Sequence, residues 1–505
     1  MDLISWRRKA ATALTLAAAG ILMAASAQAF CGFYVGKADA SLFNEASQVI
    51  LVRDGDRTVL SMMNDYKGEL KEFALVVPVP TVLRRDQINV GDRAIFDRLD
   101  SYSAPRLAEY HDSDPCARRE LRSMDAPAPA SGAMMARSAT AKAKVDSVKV
   151  EATYTIGEYD IVILSATESD GLETWLADNG YRVPTGASKA LAPYIKQGLK
   201  FFVAKVNLKE HAKITSGAVA TSGFNMLRPL QFAFESPRFM LPMRLGMVNA
   251  NGPQDLIVYA LTRGGRVESV NYRTVKLPAN IDLPVFVRSD FKSFYKSLFD
   301  QHASRDQYKT VFTEYFWDMA WCDPCAADPL SQTELRKAGV FWLDPSAGER
   351  SLLETPGASP PNLQPNAQPN AQPNAQPNLQ PTLPPTLRRP RPMPSAAQPV
   401  MLTRLHIRYT RDSFPEDLAF QETGDRQNYQ TRYVLRHPFQ GSPTACEAAR
   451  DYYREVGKRQ EREADTLAKL TGWNLTEIRG RMQLPAGADN KSGDGKPWWS
   501  SLWSS

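Results

Sequence analysis

Val49-Ile50-Leu51-Val52-Arg53, Asp54-Gly55-Asp56, then Thr58-Val59-Leu60-Ser61-Met62-Met63: this stretch sets the fold class. Val49, Leu51 and Arg53 alternate with Ile50 and Val52. The Asp-Gly-Asp triplet supplies turn chemistry, and a second run of strand-forming residues returns, so residues 48–63 read as a β-hairpin. Downstream, Phe73–Val79 is a further apolar run, ending in Pro78-Val79-Pro80, where a missing backbone donor forbids continuing a central strand. Asp92–Ser101 suits a helix with Ile95, Phe96 and Leu99 on one face. Val148–Ile156, Ile161–Leu164 and Phe201–Val206 read as strands. Between them lie a helix capped by Ser169 and stopped by Asn179-Gly180, and a short one around Ser188–Lys196. Further strands are expected at Phe224–Phe234, Leu256–Thr262 and Val267–Val275, and an amphipathic helix at 289–300. Strand runs with few, irregularly placed helices point to α+β: a mixed or antiparallel sheet body with peripheral helices, rather than a regular βαβ array.

The 505 residues are 43% apolar and 23% charged, enough for several buried cores and too apolar for global disorder. Arg7, Arg8 and Lys9, the apolar stretch Ala10–Ala25 and the small-x-small site Ala27-Gln28-Ala29 are the three parts of a secretory signal. A soluble mature chain starting near Phe30 is expected, without a transmembrane span after cleavage, in the periplasm, at the surface or outside a bacterium. Losing residues 1–29 lowers the formal net charge from +6 to +4, too mild for a nucleic-acid partner. Cys31, Cys116, Cys322, Cys325 and Cys446 all survive that cut. Export makes them disulfide candidates, and the odd count leaves one thiol over or pairs it between chains.

Residues 123–145, rich in Ala, Met and Ser, read as a mobile insert in a body spanning 30–345. The plainest boundary is 355–399, which holds 14 of the 36 prolines, no Asp or Glu, and three Asn-Ala-Gln-Pro repeats at 366–377. Proline at this density excludes helix and sheet, so a disordered, polyproline-like tether is expected, with a reach on the order of 140 Å at full extension. Beyond it, strands at Leu402–Thr410 and Thr431–His437 and a long helix opened by a Thr444-x-x-Glu447 capping box suggest a smaller α+β C-terminal module, 400–484. The helix stripe is Ala449, Tyr452, Tyr453, Val456, Ala464, Leu467 and Leu470, with Glu455 and Arg459 paired on the wet side; Gly472 ends the helix and Asn474 caps another. Residues 485–505 read as a disordered tail whose tryptophans can touch a partner or a membrane surface.

Cys31-Gly32-Phe33-Tyr34-Val35, Phe73-Ala74-Leu75-Val76-Val77-Pro78-Val79-Pro80, Trp175-Leu176-Ala177-Asp178-Asn179-Gly180-Tyr181 and Trp321-Cys322-Asp323-Pro324-Cys325 occur in that order. They are followed by Arg408-Tyr409-Thr410-Arg411-Asp412 and Phe414-Pro415-Glu416-Asp417-Leu418. The series resembles the exported bacterial domain-of-unknown-function family 2330, over most of 30–345 and into 400–475. The resemblance implies a bacterial envelope or secreted protein and no activity.

Four features invite chemistry. Cys322 and Cys325 fit the redox pattern W-C-x-P-C, in which a helix end lowers the pKa of the first thiol. Asp323 beside it, Pro329 and the lack of a βαβ context favour instead a structural disulfide, Cys322–Cys325 or one of them with Cys446. Tyr110-His111-Asp112-Ser113-Asp114 offers an imidazole and two carboxylates near Cys116, for a metal or a general base, against the simpler reading of a solvated loop. Arg404, His406 and Arg408 share one strand face, and Arg432 and Arg436 repeat the spacing. If the two strands pair, these arginines form an anion-binding face, unless Glu416, Asp417, Glu422 and Asp425 neutralise it. Ser293-Phe294-Tyr295-Lys296 matches S-x-x-K without the supporting elements of that enzyme class. No cofactor or metal is implied. The expectation is a non-catalytic binding or structural envelope protein with an unidentified envelope partner, the alternative a thiol-disulfide oxidoreductase using Cys322 and Cys325.

Overall fold

The structure, a computed structural model, describes residues 33–36, 43–67, 73–117, 148–184, 186–211, 227–248, 253–321, 323, 328–343 and 398–482. The expected signal, insert and tail, nearly all of the proline-rich segment, and Cys31, Cys322 and Cys325 lie outside them. The strands are β1 (Phe33–Gly36), β2 (Phe43–Asp54), β3 (Arg57–Lys67), β4 (Phe73–Val79), β5 (Ile88–Val90), β6 (Arg106–His111), β7 (Val148–Ile156), β8 (Tyr159–Ala166), β9 (Lys200–Val206) and β10 (Leu230–Glu235). They continue with β11 (Met240–Leu241), β12 (Gln254–Thr262), β13 (Val267–Ser269), β14 (Arg273–Lys276), β15 (Ile281–Leu283), β16 (Thr310–Asp318), β17 (Met401–Tyr409), β18 (Leu418–Glu422), β19 (Tyr429–Gln430) and β20 (Arg432–His437). The α-helices used below are α1 (Arg93–Ser103), α2 (Ser169–Asp178), α3 (Ala187–Lys196), α4 (Val287–Arg305), α5 (Gln332–Ala338), α6 (Glu447–Thr471) and α7 (Leu475–Arg481).

The architecture is α+β. The quoted hairpin is β2–β3, with Asp54 opposite Arg57 and Gly55 at φ +57°, a value only glycine takes without strain. It lies within the largest sheet, ordered β14-β16-β17-β12-β2-β3-β10-β5, in which β2–β12 and β14–β16 are parallel and the other pairs antiparallel. A five-stranded sheet, β1-β4-β9-β8-β7, packs its Phe73, Leu75, Ile161 and Phe202 against Leu51, Leu60, Phe232 and Val258 of the large sheet in one core. Pro78 sits inside β4, opposite Phe201, and the strand ends at Val79, where the run was expected to stop. On the other face of the large sheet, α1 and α5 cover Ile50, Tyr259 and Leu402. Asp92 caps α1, its carboxylate accepting from Ala94 N at 3.0 Å. The other face of the five-stranded sheet is covered by α2 and α3, and a last core gathers α4, α6 and α7 around Leu283, Tyr433 and Leu435.

The stretch 400–437 does not stand apart from the body. β17 is hydrogen-bonded along both edges, to β12 from Thr262↔Met401 to Gln254↔Tyr409 and to β16 from Asp318↔Met401 to Val311↔Ile407. β18 pairs with β11 and β13, and β20 with β6 and β15. The physical reason is burial on both faces. Leu405, Ile407 and Tyr409 enter the inter-sheet core and Leu402 the opposite one, which only a strand deep in a covered sheet can do. The described residues on either side of 344–397 meet: Trp342 Nε1 donates to Pro399 O at 3.3 Å, and Met319 N to Val400 O at 2.9 Å. The long helix differs from its expected start. Cys446, not Thr444, is the N-cap of α6 and makes no side-chain cap, while Thr444 hydrogen-bonds with Ser442. Gly472 closes α6 at φ +72°, and Asn474 caps α7 as its sequence implies.

Candidate functional site

The expected Arg404–His406–Arg408 face exists, but it points into the protein. Alternation along β17 puts all three side chains on the side covered by α1 and α4, in the gap between two apolar cores. Cross-strand register supplies their partners. Asp255 stands directly opposite Arg408, and Tyr259 opposite Arg404. On the other side, the register of β16 and β17 shifts between Thr313 and Tyr315, and Glu314 at this bulge turns its carboxylate inward.

The result is a continuous row. Arg404 donates from Nε to Glu314 at 2.5 Å and from Nη1 to Asp100 of α1 at 2.7 Å. His406 Nδ1 donates to Glu314 Oε1 at 2.6 Å, its Nε2 lies 3.6 Å from Asp255, and its ring stacks on Phe299 at 3.7 Å between centroids. Arg408 makes a two-pronged contact with Asp255, both at 2.7 Å, and also pairs with Asp300 of α4. Tyr295 donates to Glu314, and Tyr259 to Asp100 at 3.0 Å.

Four carboxylates meet two guanidiniums here, so protonating His406 reduces an excess of negative charge. Burial alone lowers the His406 pKa, but Glu314 and Asp255 outweigh it and the net shift is upward. Burial raises Glu314, yet His406 and Arg404 bring it down to about 2. Asp255 is likewise held far below the carboxylate range, burial opposing and His406 and Arg408 prevailing. The Glu314 side chain is fully inaccessible and Arg404 only 8% exposed. This arrangement fixes charge in place: its donors face protein acceptors, which leaves an external anion no open face.

Arg432 and Arg436 are not brought to this row. They lie on β20, in the separate sheet β15-β20-β6, where Arg432 holds Asn280 at 2.8 Å and Arg436 holds Asp282 at 3.1 Å. The four arginines therefore form no common anion-binding face, since β17 and β20 belong to different sheets. The acids expected to neutralise them have other work. Asp417 accepts from Tyr194 at 2.6 Å and from Met243 N at 2.9 Å, joining α3 to the loop after β17, and Glu422 accepts from Gly265 N at 2.9 Å.

A second polar seam joins β6, β20 and α6. Cys116 and Cys446 form a disulfide across 330 residues, which overturns the alternative that Cys446 pairs with Cys322 or Cys325, while a Cys322–Cys325 bond lies outside the described residues. A partner in the loop after β6 was not singled out because spacing says nothing about which loops meet. The loop residues noted beside Cys116 serve this seam. His111 stacks on His437 at 4.5 Å, and Asp112 accepts from Tyr452 and from Arg459, both at 2.8 Å. Arg459 thus faces inward, and Glu455 pairs with Lys458 at 2.7 Å instead. Next along α6, Glu463 is buried against Arg459 at 3.5 Å, and burial pushes its carboxyl up to about 7 despite that guanidinium. Ser293 and Lys296 lie on α4, where Lys296 pairs with Asp300 at 2.8 Å. Asp323 is buried and accepts from Tyr315 at 3.0 Å and Gln430 at 2.7 Å.

Sequence reading missed the acids of this row, Asp100, Asp255, Asp300 and Glu314, the last of which is the most buried. The signal for Glu314 was present: one carboxylate inside Thr310–Trp317, a run otherwise apolar, aromatic or threonine, implies a buried, partnered charge. No helix among the described residues is long and apolar enough to cross a membrane. No curated protein and no solved structure matches the chain. A family model described as an uncharacterized protein conserved in bacteria matches residues 25–421, a span that takes in both large sheets, β17 and the Asp417 loop but stops short of β20 and α6. The chain therefore belongs to the bacterial DUF2330 family, whose function is uncharacterized.

Proposed function

We propose that this is an exported protein of the bacterial envelope with a non-catalytic, binding or structural role. The observation that carries the reading is the Cys116–Cys446 disulfide. A bond between surface segments 330 residues apart persists only where thiols are oxidised, and bacteria provide that compartment outside the cytoplasmic membrane. The basic, apolar and Ala-x-Ala parts of residues 7–29 supply the route. The structural half of the reading draws on the β17 row, whose charges are spent on one another beneath two helices and so hold the fold rather than address a ligand.

Whole cells are treated with an alkylating agent, fractionated, and the protein mapped without reduction. The expected result is a chain beginning near Phe30 in the envelope or medium, with Cys116 and Cys446 linked. A chain retaining Met1 in the cytoplasm, with both thiols alkylated, overturns the reading.

A further inference from the structure

We propose that the end of the large sheet holds a binding site for a neutral saccharide, centred on Asn89. α1 and α5 cover the middle of that sheet face. The sheet ends in β10 and β5, and there Asn89 is exposed beside a groove of ≈ 330 Å³. That size lies at the lower end of small-molecule sites, about 300–1,000 Å³. The floor is apolar, built from Val59, Ala233 and Val340, and Phe341 lines the groove beside them. Its neutral polar groups are three side-chain amides, Gln87, Asn89 and Gln231.

The fold fixes which way these amides point. Register sets Ser61, Gln231 and Asn89 opposite one another on β3, β10 and β5. Gln231 spends its nitrogen on Ser61 Oγ at 2.8 Å and Lys337 O at 3.2 Å. A backbone carbonyl only accepts, so the Gln231 oxygen faces the other way, where it takes a hydrogen from Asn89 Nδ2 at 3.1 Å. That bond turns Asn89 Oδ1 away from the row, so the exposed edge of Asn89 offers an acceptor with the second Nδ2 hydrogen beside it. Gln87 is set in the same manner: its nitrogen donates to Ala233 O and its oxygen accepts from Arg84 N, both at 2.9 Å. Groups held this way lose little freedom when a ligand arrives.

The same chemistry selects the ligand. Two charged side chains line the groove, and both are engaged: Asp86 pairs with Arg84 at 3.2 Å, and Arg336 turns to Leu343 O at 2.6 Å. The groove therefore meets a ligand with neutral donor–acceptor pairs above an apolar floor. Neighbouring hydroxyls of a sugar ring supply both a donor and an acceptor, and the C–H face of the ring matches Phe341 and the floor. An added peptide strand would need an open strand edge, whereas these amides stand on the face of the sheet.

The inference gives the binding half of the proposed role a ligand class and is tested on purified protein, so its failure leaves the export reading standing. Wild type, Asn89→Ala and Phe341→Leu are titrated with cellotetraose, maltotetraose and tetraacetylchitotetraose to about 10 mM, the weak end of measurable affinity. The ¹⁵N side-chain amide signals are followed, with polygalacturonate and a blocked trialanine as charged and peptide probes. A saturable shift of the Asn89 and Gln231 signals is expected with at least one of the three sugars and with neither other probe. Asn89→Ala and Phe341→Leu should each weaken that sugar about tenfold. Asn89→Ala, on an exposed side chain, should leave Tm within about 2 °C, which separates lost contact from lost fold. No shift with any of the three sugars, undiminished affinity in Asn89→Ala, or a stronger response to the charged or peptide probe overturns the proposal.

Discussion

Two charged seams run through this protein, and they are built on different terms. In the β17 row, Arg404, Glu314, His406, Asp255 and Arg408 are each within reach of two partners, and burial strengthens what they already have. Along α6, Glu463 is almost as deeply buried but has one guanidinium, 3.5 Å away. The same desolvation therefore ends in opposite states, Glu314 ionised to about 2 and Glu463 titrating near 7. The number of directed partners decides what a buried carboxylate does, not burial alone. The family match follows the same division, containing the first seam and ending before α6.

The largest effect is expected from Arg404→Met. It takes the guanidinium from Glu314 and Asp100, leaving them His406, Tyr295 and Tyr259, and should cost about 3–5 kcal/mol in urea unfolding, as for a broken buried pair. A loss below about 1 kcal/mol would dissolve the contrast between the seams. Next is Glu463→Gln. The folded-state pKa of Glu463 is raised, so the stability it contributes is fully present below the ordinary carboxylate range and is lost as pH rises through about 7. The glutamine variant should be more stable than the wild type at pH 8, by up to about 3 kcal/mol, and should match it near pH 4. Equal pH profiles would show that Glu463 is better partnered than its geometry implies.

His406→Gln should cost about 2 kcal/mol at pH 6, the value of a hydrogen bond to a charged group. Because the His406 pKa is raised in the fold, that cost should shrink as pH climbs through its folded value. Nitrogen chemical shifts of the imidazole followed against pH should show it titrating above the ordinary histidine value; a midpoint at or below that value would remove the cation from the row. The smallest effect tests whether β17 belongs to the sheet without help from its tether. Replacing residues 349–396 by a short Gly/Ser linker should shift Tm by no more than about 2 °C, since the described residues on either side meet at Trp342 and Pro399 and loop length costs little. A collapse of the fold would assign the proline segment a structural role.

Much of the secondary structure was legible because its causes are local. The β2–β3 turn, the α1 face, the Gly472 stop and the Asn474 cap are each written within one or two turns of chain. The β17 face was legible too: alternation alone put Arg404, His406 and Arg408 together. Whether that face met water or protein was not. Thr444-x-x-Glu447 looked like a cap, yet α6 starts one residue after Cys446, whose sulfur is held by a loop distant in sequence. Glu455 and Arg459 had helical spacing for a surface pair, but Asp112, 347 residues from Arg459, outcompetes it.

By itself, then, the sequence determined what a short window can encode: which segments are strands or helices, where they turn, which side chains share a face, and the export signal expected at the N-terminus. Only the tertiary structure decided that residues after the proline-rich segment enter the middle of the first sheet, that Cys446 meets Cys116, and that a row of arginines faces inward to carboxylates. Those outcomes depend on pairings across hundreds of residues, where burial and register choose among partners that look equivalent along the chain.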